Sequence, residues 1–223
     1  MRCVVFKVEN ITKIYHTSNK QIRALDEVSL QVNTGEFVVV EGPSGSGKST
    51  LLLTAGSLLT PDEGQILIDG QNPYALSSDE RAKFRAEKIG FVFQQFHLIP
   101  YLSVLENILT PSILTKGKNS HEDAMQLIKR FGLTERVHHV LAELSTGERQ
   151  RTALARAFIN SPNLILADEP TGNLDRENAE IVIKSLVEFA NMGGSVFLVT
   201  HDAYAVQYAN RSLHLENGRM QND

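Results

Sequence analysis

Residues 42–50 read Gly-Pro-Ser-Gly-Ser-Gly-Lys-Ser-Thr. The run fits the phosphate-loop pattern G-x-x-x-x-G-K-[ST], with Gly42, Gly47, Lys48 and Ser49 at its fixed positions. Each part answers a demand of a bound triphosphate. The glycines, Gly45 among them, let the backbone turn tightly and bring N–H groups close to oxygens with no Cβ in the way. A helix starting near Lys48 points its positive end at the anion. Lys48 supplies a mobile full charge for the outer phosphates, and the Ser49 hydroxyl can ligate Mg²⁺. Ser44, Ser46 and Thr50 complete the candidate contact set from this loop. Phe37–Glu41 before it reads as a buried strand and Leu51–Ala55 after it as an apolar helix. Strand, glycine turn and helix is the setting the motif requires; the competing reading is a flexible Gly/Ser-rich loop.

A chain of 223 residues can bury a real core and is expected to form one domain, with room for a subdomain. Its net charge of −4 argues against a general nucleic-acid binder, which would carry a basic face. The single cysteine, Cys3, cannot form an internal disulfide, and no Cys/His cluster has metal spacing; a reducing compartment is the simple reading. No apolar run approaches the roughly 18 residues needed to cross a bilayer. Met1–Lys7 is too short and too soon charged for a secretory signal and reads as the start of a first strand. Any membrane role is therefore expected to come through a partner.

Val4–Val8 and Val28–Val32 alternate apolar and polar side chains, so the first 35 residues read as strand-rich. Gln65–Ile68, closed by Asp69-Gly70, is another strand and turn. Residues 78–88 are helix-prone and Ile89–Phe93 is a short buried strand. Ser103-x-x-Glu106 fits a helix-start capping box, as does Ser120-x-x-Asp123 more loosely. The middle, about 95–160, thus reads as mostly helical, an insertion on the sheet. Strand and helix then alternate: Leu164–Ala167, a helix over 176–191, Val196–Thr200, a helix from Asp202, Ser212–Leu215 and a turn at Asn217-Gly218. The expected class is α/β, a mainly parallel sheet covered on both faces.

Leu164–Ala167 runs into Asp168 and Glu169. In phosphate-loop enzymes an acid at such a strand end holds Mg²⁺, usually through water, and Asp168 fits that role. Glu169 projects differently and can orient and polarise an attacking water; a solvated acidic pair in a loop is the plain alternative. Leu144-Ser145-Thr146-Gly147-Glu148 carries a capping box between Ser145 and Glu148, so a helix should begin there and run through Ala153–Asn160. An ordinary helix start explains it. A hydroxyl, a glycine and a free helix N-terminus also make an anion site, and a second phosphate cradle is surplus on one chain unless it serves another molecule's nucleotide.

With these motifs in order over essentially the whole chain, the sequence resembles the nucleotide-binding subunit of an ATP-binding cassette (ABC) transporter. Leu144–Glu148 corresponds to that family's Leu-Ser-Gly-Gly-Gln/Glu signature. Residues 90–100 and 167–175 are most similar to the group of lipoprotein-releasing, macrolide-exporting and cell-division ATPases. The resemblance implies a P-loop NTPase fold with a RecA-like core, an N-terminal antiparallel β subdomain and an inserted helical subdomain. It implies ATP hydrolysis with Mg²⁺, catalysed by Glu169, His201, Gln94 and Lys48. Gln94 corresponds to the loop glutamine that contacts Mg²⁺ and water, Tyr15 to the aromatic that stacks on adenine, and His201 to the switch histidine at the γ-phosphate. From the second copy of a head-to-tail homodimer, Ser145, Gly147, Glu148 and Asp175 would complete the ATP site. Thr146 departs from the signature by replacing its first glycine; a helix N1 position has ordinary angles, so threonine fits. Gly147 is kept, and its missing Cβ is expected to leave room for the partner's γ-phosphate.

The family further implies integral membrane permease subunits, a location on the cytoplasmic face of the cell (inner) membrane, and export or membrane extraction of cargo. Other readings are an ABC ATPase driving a non-transporting membrane partner, a translation or DNA-repair ABC protein, a small-molecule kinase and a pure binding module. The last three lack support: the chain has neither two cassettes nor a long coiled-coil insertion, a kinase would need a substrate lid and has no reason for Leu144–Glu148, and a binding module has none for Asp168, Glu169 and His201.

Overall fold

The computed structural model describes residues 3–17, 20–115 and 121–221. In chain order the elements are β1 (Val4–His16), β2 (Gln21–Asn33), β3 (Phe37–Glu41), α1 (Lys48–Ala55), β4 (Glu63–Ile68), α2 (Ser78–Lys88) and β5 (Ile89–Phe93). There follow α3 (Val104–Leu109), α4 (His121–Arg130), α5 (Thr146–Phe158), β6 (Leu164–Asp168), α6 (Arg176–Asn191), β7 (Ser195–Val199), α7 (Ala203–Val206), β8 (Arg211–Glu216) and β9 (Arg219–Met220). Short 3₁₀ turns link several of the helices between β5 and β6.

Two sheets form. An antiparallel sheet runs β2-β1-β4, and a larger one runs β5-β6-β7-β3-β8-β9. The latter is parallel up to β8 and ends in the antiparallel β8–β9 hairpin. At its turn Asn217 and Gly218 both have positive φ, 50° and 77°, as a two-residue loop that matches strand twist demands. The helix starts follow their caps. Ser77 with Glu80 and Ser103 with Glu106 form reciprocal capping boxes, and Asp175 caps α6. The capping box read at Ser120 lies outside the described residues.

The central strands show why a parallel sheet needs continuous apolar sequence. Along β3, Phe37 and Val39 join the core on one face while Val38 and Val40 join the core on the other. β6 and β7 do the same with Ile165 and Ala167 against Leu164 and Leu166, and with Val196 and Leu198 against Phe197 and Val199. Both faces are thus covered. The first face packs on α3, α4, α5 and α6, and the second on α1 and the antiparallel sheet. In β2 the alternation of Val28, Leu30 and Val32 (buried) with Ser29 and Gln31 (exposed) turns one side of the small sheet inward. Phe6 meets Phe197 edge to face, ring centroids 5.5 Å apart, and joins the two sheets.

Among the described residues no helix is long and apolar enough to cross a membrane. Phe197 is fully buried, so Phe197→Ala should cost about 3–5 kcal/mol. Chemical denaturation should show this as a lower midpoint at unchanged slope.

Candidate nucleotide site

Four loops leave the carboxyl edge of the large sheet side by side. Across β5, β6 and β7 the register aligns Phe93 with Asp168 and Asp168 with Val199, and Val40 of β3 lies beside Val199. Ligands bind at this edge in open α/β sheets. The phosphate loop follows β3. Its last glycine, Gly47, caps α1 with φ 106°, and a Cβ there would stand 2.3 Å from the Ala24 carbonyl oxygen. The position therefore requires glycine twice over, for dihedral and for space. Lys48 is largely buried; its Nζ donates to the carbonyls of Gly42 and Pro43 at 2.7 and 2.9 Å. The loop holds the ammonium by neutral oxygens, which leaves its charge for an anion.

Ser49 Oγ donates to Asp168 Oδ1 at 3.2 Å, bringing the start of α1 to the end of β6. Burial raises the Asp168 pKa, partly opposed by the Ser49 hydrogen bond; Glu169 adds to the rise and Lys48 reduces it. Two hard oxygens converging beside an anion loop suit Mg²⁺, which is commonly held by one or two protein oxygens together with substrate phosphates.

Glu169 follows in the left-handed region at φ 44°, uncommon for a side chain with a Cβ. Its amide donates to the Val199 carbonyl at 3.0 Å. Its carboxylate accepts from Thr200 Oγ1 at 2.7 Å and from His201 Nδ1 at 2.7 Å. With Nδ1 turned to this carboxylate, the other ring nitrogen, Nε2, is left for the cleft. The Glu169 side chain is only 14% exposed and that of His201 74%. One group is fixed; the other reaches into solvent.

A cleft of about 560 Å³ joins these groups. Ser44, Gly45, Gly47, Lys48, Ser49 and Thr50 line it, together with Ala24, Gln94, Glu169 and His201. Gln94 is fixed at its backbone by Asn173 Nδ2, which donates to the Gln94 carbonyl at 3.1 Å. Four candidates for this chain's own ATP and metal site do not line this cleft, and one of them, Asp168, adjoins it through the Ser49 hydroxyl. A Cβ on Gly42 would meet the Leu215 carbonyl at 2.1 Å, so this glycine serves the packing of the loop on β8. Ser46 turns its buried hydroxyl to no hydrogen-bond partner, and its carbonyl accepts from Gly218 N at 3.0 Å. Tyr15 stands on the β1–β2 hairpin opposite Ile22, 39% exposed.

The second anion cradle is a separate surface, since Ser145, Gly147, Glu148 and Asp175 do not line the cleft. Ser145 caps α5: its Oγ accepts from Glu148 N at 3.2 Å, and Glu148 Oε2 accepts from Ser145 N at 2.8 Å. The other Glu148 oxygen takes Arg136 Nε at 2.8 Å. The Ser145 amide, with help from Arg136 and against burial, holds Glu148 down at about 2. Thr146 keeps a negative φ at N1, as its position requires. Gly147 also has a packing role within its own chain. A Cβ there would lie 2.2 Å from Asn178 Oδ1 of the same chain, so the missing side chain makes room for Asn178. Asp175 caps α6, accepting Asn178 N at 2.9 Å and Asn178 Nδ2 at 2.8 Å; these bonds lower its pKa.

Sequence reasoning passed over Thr200, Ala24 and Asn178. Thr200 was recoverable, as the hydroxyl at the end of an apolar strand just before His201. Ala24 and Asn178 act through a carbonyl and a packing contact that no local pattern reveals.

A parallel sheet with a phosphate loop and an acidic strand end along one edge defines a P-loop nucleoside triphosphatase. Residues 25–172 match the family model described as ABC transporter, and the chain belongs to that family. It is similar to the lipoprotein-releasing system ATP-binding protein LolD of Shewanella sp. strain MR-4, 44% identical over 99% of this chain and 97% of that protein. It is also similar to the macrolide export ATP-binding/permease protein MacB of Bdellovibrio bacteriovorus, 41% identical over 97% of this chain and 33% of that protein. The dimeric post-hydrolysis structure of the ATP-binding cassette MJ0796 with ADP and Pi superposes with a TM-score of 0.91 at 40% identity, covering 97% of both chains. The chain is an ATP-binding ATPase of the ABC class.

Lys48→Ala should weaken ATP binding at least about tenfold, the cost of one charged hydrogen bond; titration calorimetry reads this directly. Glu148 has a folded pKa below its ordinary 4.5, so its stabilisation is full above pH 4.5 and is lost as pH falls toward about 2. Glu148→Gln should therefore be about 1 kcal/mol less stable than the native chain at pH 7. That gap should close progressively in unfolding curves taken below pH 4.5.

Proposed function

We propose that this chain powers a separate membrane-spanning permease by binding ATP between two copies of itself and hydrolysing it, for export of a substrate or its extraction from a membrane. One observation carries the reading: the chain bears a phosphate loop with Lys48 and Ser49 in one cleft and a capped helix N-terminus at Ser145 on another surface. Each is half of a triphosphate clamp. In a head-to-tail pair, Ser145 Oγ, the Gly147 amide and the Asp175 loop of one copy would face the ATP held by the loop of the other. Glu148 supports the cradle from behind. The nucleotide's negative charge is then neutralised from both sides, and losing its outer phosphate loosens the pair.

At the chemical centre Glu169 orients the attacking water and takes its proton, held for that task by Thr200 and His201. His201 reaches the outer phosphate, and Lys48 neutralises charge as it develops. Gln94 lies where it can monitor phosphate and water from the end of β5. Ser49 and Asp168 would hold Mg²⁺, which neutralises and orients the phosphate oxygens when bound. Tyr15 would lie against the base.

The permease reading draws on a second cleft of about 390 Å³, lined by Leu58, Ile89, Phe91, Phe93, Pro111 and Leu114 among others. Leu58 and Leu114 of this lining are exposed apolar side chains, and exposed apolar surface in a cleft marks interaction sites. The cleft is lined by residues of β5, and Gln94 follows that strand directly, so a partner seated there would press on the strand that feeds the ATP site. A relative named for both ATP-binding and permease roles is three times longer than the part this chain matches. A location on the cytoplasmic face of the cell membrane follows from the need for both ATP and a membrane partner.

Glu169→Gln should keep ATP affinity and lose turnover by about 10²–10⁴-fold, the usual worth of a general base. On gel filtration with Mg-ATP it should run as a dimer. A variant that stays monomeric and hydrolyses at the native rate would refute the assignment.

A further inference from the structure

Resting on the reading of Gln94 as part of the ATP site, we propose that Arg156 is a positioning residue for hydrolysis, a clamp from α5 that fixes the loop carrying Gln94. Arg156 lies in the last turn of α5. Its Nη2 donates to the Phe96 carbonyl at 2.7 Å and its Nη1 to the His97 carbonyl at 2.5 Å. Those acceptors belong to an unusual stretch. Phe96 and His97 are consecutive residues with left-handed φ, 55° and 48°, and each costs about 1–3 kcal/mol unless the surroundings enforce it. A planar guanidinium with two parallel donors matches two successive carbonyls of one turn, which a single-point ammonium cannot do.

The turn sits directly after β5 and Gln94. Upstream it is fixed by the β5–β6 pairing of Phe93 with Asp168. Downstream, buried Leu98 and the bond from Ile99 N to Asn107 Oδ1 at 2.8 Å anchor it. Between these anchors residues 94–97 are held by the turn's own bonds, from Phe96 N to the Phe93 carbonyl at 3.2 Å and from His97 N to the Gln95 carbonyl at 2.5 Å, by Arg156, by Asn173 at the Gln94 carbonyl, and by the edge contact of His97 with Phe93. Gly172 leaves the space in which the Gln94 amide stands, since a Cβ there would come within 2.8 Å of Nε2. Burial lowers the Arg156 pKa to about 10, so it stays charged at neutral pH. Its charge is spent on carbonyls of the 96–97 turn, the partners the structure gives it.

The helix that holds this loop is also the helix that begins at Ser145. Its Gln150 Nε2 donates to the Pro170 carbonyl at 2.6 Å, just past Glu169. One rigid rod therefore carries the cradle for a second copy's ATP at one end and the clamp on this copy's Gln94 at the other.

The test is steady-state hydrolysis by the full chain with Mg-ATP in four forms: native, Arg156→Met, Gln94→Ala and the double variant. A small displacement of a catalytic group, on the order of 1 Å, can cost up to 10²-fold, so Arg156→Met should lower kcat about tenfold with KM for ATP within about twofold of native. In the Gln94→Ala background the same change should cost less than about twofold, because the clamp then has nothing to aim. Hydrogen exchange at residues 95–97 should quicken in Arg156→Met without nucleotide. Equal losses in both backgrounds, or unchanged exchange, would overturn the clamp while leaving Gln94 in the site. A Gln94→Ala chain with native kcat would instead remove the premise and the proposal with it. Should the Met variant not fold, Arg156→Lys goes through the same comparison; it keeps the charge and one carbonyl, and is expected between Met and native.

Discussion

The parallel pairing of β6 with β5 on one side and β7 on the other is the constraint on which the site rests. Hydrogen bonds in a parallel ladder come at fixed spacing, so aligning Phe93, Asp168 and Val199 in one row also aligns the loops that follow them. Shifting β6 by one residue would turn its side chains to the opposite face. Asp168 would leave Ser49, and the even division of Leu164–Ala167 between the two cores would be lost. The apolar side chains that build the two cores thus also set where the chemistry happens. Each of the four strands is short and apolar, and each ends where its polar cargo begins.

At that edge the structure concentrates cost. Glu169 adopts a left-handed backbone, Asp168 is partly desolvated, and Lys48 is sequestered among carbonyls. Each is unfavourable alone and is sustained by neighbours: Thr200 and His201 for Glu169, Ser49 for Asp168, the loop itself for Lys48. Groups held this way do not reorganise when charge develops on a phosphate, which is the physical content of preorganisation.

Much of this was legible in the sequence, for reasons that can be named. The phosphate loop is a contiguous run whose glycines serve local dihedrals and close approaches. The strands β3, β5 and β6 are short apolar runs with sharp ends, and capping boxes at Ser103 and Ser145 announce their helices through a three-residue relation. What escaped involves partners far apart in sequence acting through backbone atoms. Arg156 binds carbonyls about 60 positions away, and a carbonyl has no residue type to read. The packing role of Gly147 escaped for the same reason: the sequence shows that a side chain is missing, and only the packing of α6 shows Asn178 against that position. Tyr15 was assigned by resemblance, and its position on an open hairpin explains why pattern alone did not single it out.

The interlock at that glycine reaches further than local packing. Asn178 fills the hollow at Gly147, takes a hydrogen bond from Arg151, and returns two to Asp175. The starts of α5 and α6 are thereby welded, and Ser145 and Asp175 ride on a single inflexible platform. A ligand that displaced one would drag the other, so this surface presents itself to any visitor as one epitope rather than two adjustable fingers.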